Sequence, residues 1–380
     1  MNIKWKMAFL IVKLIACGYL KSDSQRKNLT LMQTRYGEKE MFEVLKPGIQ
    51  TTVQDAGRAG GQSKGVPPSG AQDLFALRVA NLLVGNPDSG PILSRSRVGC
   101  AGLEIALGGL QIRSIGDHLI SLTGANTFAL IDEKPIVPWS NNLIRNGQIL
   151  SCGISKKGAR SYLAVNGGFD VPLYMESRST HLSGQFGGYF GRALRCGDKL
   201  MVGQPLSDIE QLLYRSYKKD LIPSYESPWE VRVVSGPEAN IFTKASIEKF
   251  YSYKWKQSQK ADRTGMRYIG PKLEFCEGRP NYLIEDAGAD PSNIVIDPGA
   301  PIGTIQVPSG IEPIVLSVDS PTVGGFARIA VVISIDMSRI GQTRPFEETV
   351  FKLVSTDEAV ALLEAQESII SENSVVYNGQ

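Results

Sequence analysis

Residues 50–84 read QTTVQDAGRAGGQSKGVPPSGAQDLFALRVANLLV, and the reading of this stretch decides the fold. Gln50–Gln54 is short, rich in Thr and Val, and closed by the turn Asp55-Ala56-Gly57-Arg58, the pattern of a strand and its exit. A Gly/Pro loop from Gly65 to Gly70 then delivers the chain to Asp73. From there Leu74, Leu77, Ala80 and Leu83 share one helical face, and Gly85-Asn86-Pro87 ends the helix. Asp73 fits an N-cap, and backbone N–H groups at such a start can also hold an anion or a carbonyl oxygen. Gln54, Asp55, Arg58 and Asp73 are therefore candidate binding residues as well as candidate turn formers.

Working outward, further strand-like runs fall at Leu119–Ile131, Ser161–Val165, Glu230–Val234, Pro313–Val318 and Ile329–Ser334. Each is rich in Val, Ile, Leu or Thr and bounded by Gly, Pro, Asn or Asp. Their spacing suits barrels or sandwiches, not a βαβ array. Two more helices are expected, at Ala245–Tyr251 and Thr356–Gln366, the latter opened by a capping box at Ser355 to Glu358. The polar, Tyr-rich segment Ser207–Pro228 reads as a connection between two lobes, residues 41–206 and 229–380. The expected class is mainly β, with a few short helices.

Lys plus Arg number 41 against 38 Asp plus Glu, a near balance that argues against a nucleic-acid platform. Cys17, Cys100, Cys152, Cys196 and Cys276 are scattered without a CxxC pair, the pattern of reduced cytoplasmic thiols. With only His118 and His181, a His-rich metal centre is excluded, and carboxylates, amides and Arg must carry any chemistry. Residues 1–40 contain an apolar run from Met7 to Val12 that Lys13 interrupts, too short for a membrane span. Leu14-Ile15-Ala16-Cys17 resembles a lipoprotein cleavage box, yet the run is poor as a signal core, and the segment reads as an appended start.

Three further clusters carry polar chemistry. Arg160 opens Arg160-Ser161-Tyr162-Leu163-Ala164-Val165, a strand closed by Gly167-Gly168. Asp262-Arg263 precedes a Gly turn, where Arg263 can clamp a carboxylate bidentately and Asp262 can accept or relay a proton. Gln306 sits before Pro308-Ser309-Gly310, where its amide can read a ureido or amide edge, and Arg328 follows in Gly324-Gly325-Phe326-Ala327-Arg328. A salt-bridged turn remains the structural alternative for Asp262 and Arg263.

Taken in order, TTVQDAGR at Thr51, SGAQDLFALRVANLLVGN at Ser69, LEIALGG at Leu103, SLTGA at Ser121 and RSYLAVNGGFDVP at Arg160 carry a resemblance. VSGPE at Val234, DRTGMRYIGP at Asp262, PIGTIQVPSG at Pro301 and GGFARIAVVIS at Gly324 continue it. The sequence resembles the allophanate hydrolase subunit 2 family, which includes the C-subunit of 5-oxoprolinase, KipA-type proteins and half of the urea amidolyase carboxyltransferase domain. The resemblance implies two cyclophilin-like β-barrel lobes and a site shared with a KipI-like subunit 1. It further implies a LamB/YcsF-like third subunit and ATP used by the complex to open 5-oxoproline to glutamate. A biotin-dependent carboxyltransferase subunit and a KipA-like regulator are the alternatives, with biotin a cofactor only in the former. The catalytic set expected is Asp262, Arg263 and Gln306; Gln54, Asp55, Arg58, Asp73, Arg160 and Arg328 are expected to bind substrate. Three features depart from the family pattern: residues 1–40, an insertion at Ser94–Gly102, and Arg328 where many members carry Lys.

Overall fold

In the computed structural model, the described residues are 40–90, 99–205, 207–277, 300–323 and 325–378. Residues 1–39 and the 94–98 part of the insertion lie outside them. Met41–Gln380 forms one compact unit.

The first lobe is built from β1 (Met41–Pro47), β2 (Gln50–Gln54), β3 (Gly102–Ala106), β4 (Leu110–Ile115), β5 (His118–Gly124) and β6 (Leu130–Ile131). It continues through β7 (Lys134–Pro135), β8 (Asn141–Ile144), β9 (Ile149–Ser151), β10 (Arg160–Val165) and β11 (Lys199–Met201). They fall into two sheets, β11-β1-β4-β9-β6-β7 and β2-β3-β10-β5-β8. The period-2 alternation of a strand explains their stacking. Phe42 and Val44 of β1 and Ile112 of β4 meet Leu163 and Val165 of β10 and Ile120 and Leu122 of β5 in one core. The intervening residues turn to the opposite face, where helix α1 (Leu74–Leu83) covers them: Tyr162 packs with Phe75 and Leu77, and Leu119 and Ala164 pack with Ala80. Covered on both faces, β5 and β10 are buried almost throughout, including Ser121, Thr123 and Ser161. Leu119–Ile131, expected as one strand, is broken between Gly124 and Leu130, where Gly124 adopts φ 75° and ends β5.

The connection holds α2 (Ile209–Leu212) and β12 (Arg215–Tyr217). Leu212 and Tyr217 pack against the α1 side of the first lobe, so this segment is part of that lobe's core. The second lobe comprises β13 (Trp229–Ser235), α3 (Lys244–Ser252), β14 (Trp255–Gln257), β15 (Gly265–Ile269) and β16 (Thr304–Gln306). β17 (Ile314–Leu316), β18 (Arg328–Val332), α4 (Met337–Gln342) and β19 (Glu348–Leu353) follow, and the strands close a barrel in the order β13-β18-β16-β17-β15-β14-β19. Trp229, Val231 and Val233 alternate inward with Ile305, Ile329 and Phe351 to fill it. Helix α5 (Thr356–Ile369) starts as the capping box requires, with Ser355 Oγ accepting from Glu358 N at 3.1 Å. It is tied back to α1 through Arg78, which pairs with Glu367 at 2.7 Å and Asp88 at 2.6 Å. Last, β20 (Val375–Tyr377) returns to pair with β12. The chain is thus mainly β with few helices, a pair of stacked sheets followed by a closed barrel.

Candidate functional site

The loop that follows β2 sits where the two lobes meet. Gly57 and Gly70 hold φ of 92° and 97°. A Cβ at Gly57 would lie 2.7 Å from Ser69 O, and one at Gly70 would lie 3.0 Å from Gly57 N. Only glycine lets the strand exit and the helix entry lie this close. Arg58 N donates to Pro68 O at 2.6 Å and Ala71 N to Asp55 O at 3.0 Å, while Ser69 N reaches across to Val318 O at 2.8 Å.

Arg263 enters this seam from the second lobe. Its Nε donates to Asp319 Oδ2 at 2.8 Å, Nη1 to Glu104 Oε1 at 2.7 Å, and Nη2 to the Gly70 carbonyl at 2.7 Å. The three charged side chains are only 3 to 6% exposed. Burial by itself would raise Glu104. The guanidinium groups of Arg263 and Arg160, with donation from Gln72 N at 2.9 Å and Tyr162 OH at 2.8 Å, outweigh it and hold the carboxyl below the ordinary range. Arg263 is likewise opposed by burial and raised by its two carboxylates. The result is a hydrogen-bonded triad that belongs to both lobes at once: Glu104 on β3, Arg263 and Asp319 in the barrel lobe.

Beside it, Asp73 caps α1, accepting from Ala76 N at 3.0 Å, from Gln342 Nε2 at 2.7 Å and from Tyr225 OH at 3.1 Å. These are neutral donors, and burial pushes the Asp73 carboxyl upward. Gln342 Oε1 in turn accepts from Ala159 N at 3.0 Å and Arg160 N at 2.9 Å, and Arg160 Nη1 donates to Gly341 O. Gln72 Nε2 adds a bond to Ser317 Oγ at 2.9 Å.

Asp55 is saturated. Its Oδ1 accepts from Gly57 N at 2.9 Å, Ser177 Oγ at 2.7 Å and Ser179 Oγ, and its Oδ2 from Arg178 N at 2.5 Å. Arg58 lies behind, 1% exposed, bonded to Tyr174 O at 3.2 Å and to Ser179 O. Its guanidinium carbon stands 5.0 Å from the Phe186 ring centroid and 5.7 Å from that of Tyr174, so the π faces serve the Nη1 edge that has no hydrogen-bond partner. Burial lowers Arg58. Gln54 Nε2 bonds Thr52 Oγ1 and Thr180 O, at 3.0 and 3.2 Å.

The structure therefore gathers Asp55, Arg58, Asp73, Arg160 and Arg263 around the seam, with Gln54 on the adjoining strand. Asp262 lies next in sequence but points outward: it is exposed, and its Oδ1 accepts from Thr264 N at 2.8 Å and Gly265 N at 3.1 Å. Gln306 and Arg328 are cross-strand partners on β16 and β18, away from Asp262 in the barrel order. Arg328 Nε donates to Glu238 Oε2 at 2.6 Å and its Nη2 to Oε1, a two-point pair that raises its pKa. Of the seam's other members, Glu104 had a legible mark, a carboxylate inside the apolar run Leu103-Glu104-Ile105-Ala106. Tyr225 and Gln342 had none. Among the described residues, no group of three or more His, Cys, Asp or Glu is placed to hold a metal ion, and no helix is long and apolar enough to cross a membrane.

Two β lobes clamped by a buried charge seam make up the module. The carboxyltransferase domain, subdomain A and B, matches residues 64–353, and the chain belongs to that family. It is 35% identical over 339 residues to urea amidolyase of Lachancea kluyveri, covering 87% of this chain but 18% of that protein. To the C-subunit of 5-oxoprolinase from Escherichia coli K12 it is 34% identical over 333 residues, covering 86% of this chain and 96% of that protein. The crystal structure of the K. lactis urea amidolyase superposes with a TM-score of 0.79 at 31% identity, over 96% of this chain and 22% of that one. The chain thus spans about a fifth of the urea amidolyases, and nearly the whole of the oxoprolinase subunit.

Proposed function

We propose that this chain is the C-subunit of an ATP-dependent 5-oxoprolinase assembly, a cytoplasmic hydrolase that opens 5-oxoproline to glutamate. The observation that carries the reading is the match to 96% of the length of the E. coli 5-oxoprolinase C-subunit. In this reading the chain works beside a KipI-like subunit 1 and a LamB/YcsF-like third subunit, and the assembly uses ATP. The seam supports a half-site: its charges are spent on one another, and among the described residues it holds no free nucleophile–base pair. Asp262, outside the seam, keeps Oδ2 open for acid–base work at a shared surface, whereas Arg263 is spent on Glu104, Asp319 and Gly70, Arg328 is held by Glu238, and Gln306 is buried on the barrel.

A second reading, a biotin-dependent carboxyltransferase subunit, is favoured by the likeness to urea amidolyase. The test measures glutamate formed from 5-oxoproline and ATP by the purified chain, by its partner subunits, and by all of them together. Activity only in the full set is expected. Glutamate formation by this chain alone would refute the half-site. A full set that is inert toward 5-oxoproline but moves the carboxyl group of a carboxybiotinyl carrier would replace the first reading by the second.

A further inference from the structure

On the other side of Tyr225 from Asp73, a cavity of about 1000 Å³ opens between the first lobe and the connection. Val137 and Trp139 line it from the first lobe, Tyr217, Ile222 and Tyr225 from the connection, and Val376 from β20. It is of the size that holds small organic ligands, and its lining sets aromatic and aliphatic side chains among Ser, Asn and charged ones.

The wall is built, not incidental. Trp139 holds φ 57°, a left-handed conformation unusual for a bulky side chain. It is kept there by its N–H to Leu122 O and by Tyr217 N to its own carbonyl, both at 2.8 Å, while its indole Nε1 donates to Gly124 O at 3.3 Å. Lysines 157, 218 and 219 outnumber the carboxylates, Asp220 and Glu226, in the lining. Lys157 is taken by Glu226 at 2.5 Å, whereas Lys218 and Lys219 form no ion pair among the described residues.

We propose that this cavity binds an amphipathic anion, an apolar body against Val137, Ile222 and Tyr225 with its carboxylate or sulfonate head at Lys218 and Lys219. The site is separate from the seam and independent of the oxoprolinase reading. It is one side chain away from the seam, because Tyr225 OH donates to Asp73 Oδ2 at 3.1 Å. An occupant that shifts the Tyr225 ring is thereby felt at the N-terminus of α1.

The full chain is titrated with 8-anilinonaphthalene-1-sulfonate, following probe emission and energy transfer from tryptophan, with 1-naphthoate as competitor. Saturable binding at one site per chain, displaced by the naphthoate, is expected. Reversing two rim charges in a Lys218→Glu, Lys219→Glu variant weakens binding about tenfold, and added salt narrows that gap. Ser224→Trp, at an exposed lining position, fills the mouth and abolishes the high-affinity phase. Both variants keep the parent melting temperature. Unsaturable binding, or equal affinity in the parent and in both folded variants, overturns the proposal.

Discussion

Replacing Arg263 by Met keeps much of the side chain's volume and removes its charge. Glu104 and Asp319 are then left in the seam, 5% and 3% exposed, without the cation that bridges them, and the Gly70 carbonyl loses its donor. Removing one partner of a buried ion pair costs about 3–5 kcal/mol, a large part of the roughly 5–15 kcal/mol by which native proteins are stable. At roughly 2 °C per kcal/mol for a chain of this size, the melting temperature falls by about 6–10 °C. The pH dependence gives the sharper signature. In the parent, Glu104 is held below its ordinary value, so its contribution is present above the unfolded pKa and is lost as pH falls through the folded one. In the variant the chief cation is gone, so less of that contribution exists to be lost. The stability deficit, measured by urea unfolding, is therefore full at neutral pH and shrinks as pH is lowered below about 4.5, where the parent gives up its Glu104 contribution. A double-mutant cycle with Glu104→Gln should return a coupling of about 2 kcal/mol. A loss under about 1 kcal/mol with no pH dependence, the behaviour of an exposed pair, would refute the buried-lock account.

Asp262→Asn keeps the oxygen that caps Thr264 N and Gly265 N, so the melting temperature stays put while activity of the full assembly falls about tenfold or more. A stable and fully active Asp262→Asn assembly removes this residue from the chemistry, and activity lost only in proportion to unfolding assigns it to the turn. A chain started at Met41 should melt with the parent, because the compact unit runs from Met41 to Gln380; a large loss of soluble protein would show that residues 1–40 serve the fold.

The sequence by itself determined the elements and their class. Short runs rich in Val, Ile, Leu or Thr and bounded by Gly, Pro, Asn or Asp marked strands at Gln50–Gln54, Ser161–Val165 and Glu230–Val234, and three further stretches read as the main helices, two of them with caps at Asp73 and Ser355. These are local properties, set by residues a few positions apart. It also singled out Asp55, Arg58, Asp73, Arg160 and Arg263, polar groups in otherwise structural text. What each of them meets was decided only in three dimensions. Arg263 is 159 positions from Glu104, and Asp73 is 269 from Gln342, so no spacing rule could pair them. Asp262 and Arg263 looked like one unit because they are adjacent. Yet the Gly265 turn sends one into water and the other into the seam, since a charge is buried only where groups of opposite charge meet it, here Asp319 of its own lobe and Glu104 of the other. The connection shows the same limit: its polar composition suggested a linker, while Leu212 and Tyr217 became core because α1 leaves an apolar face that this segment covers together with Trp139, Ile370 and Val375.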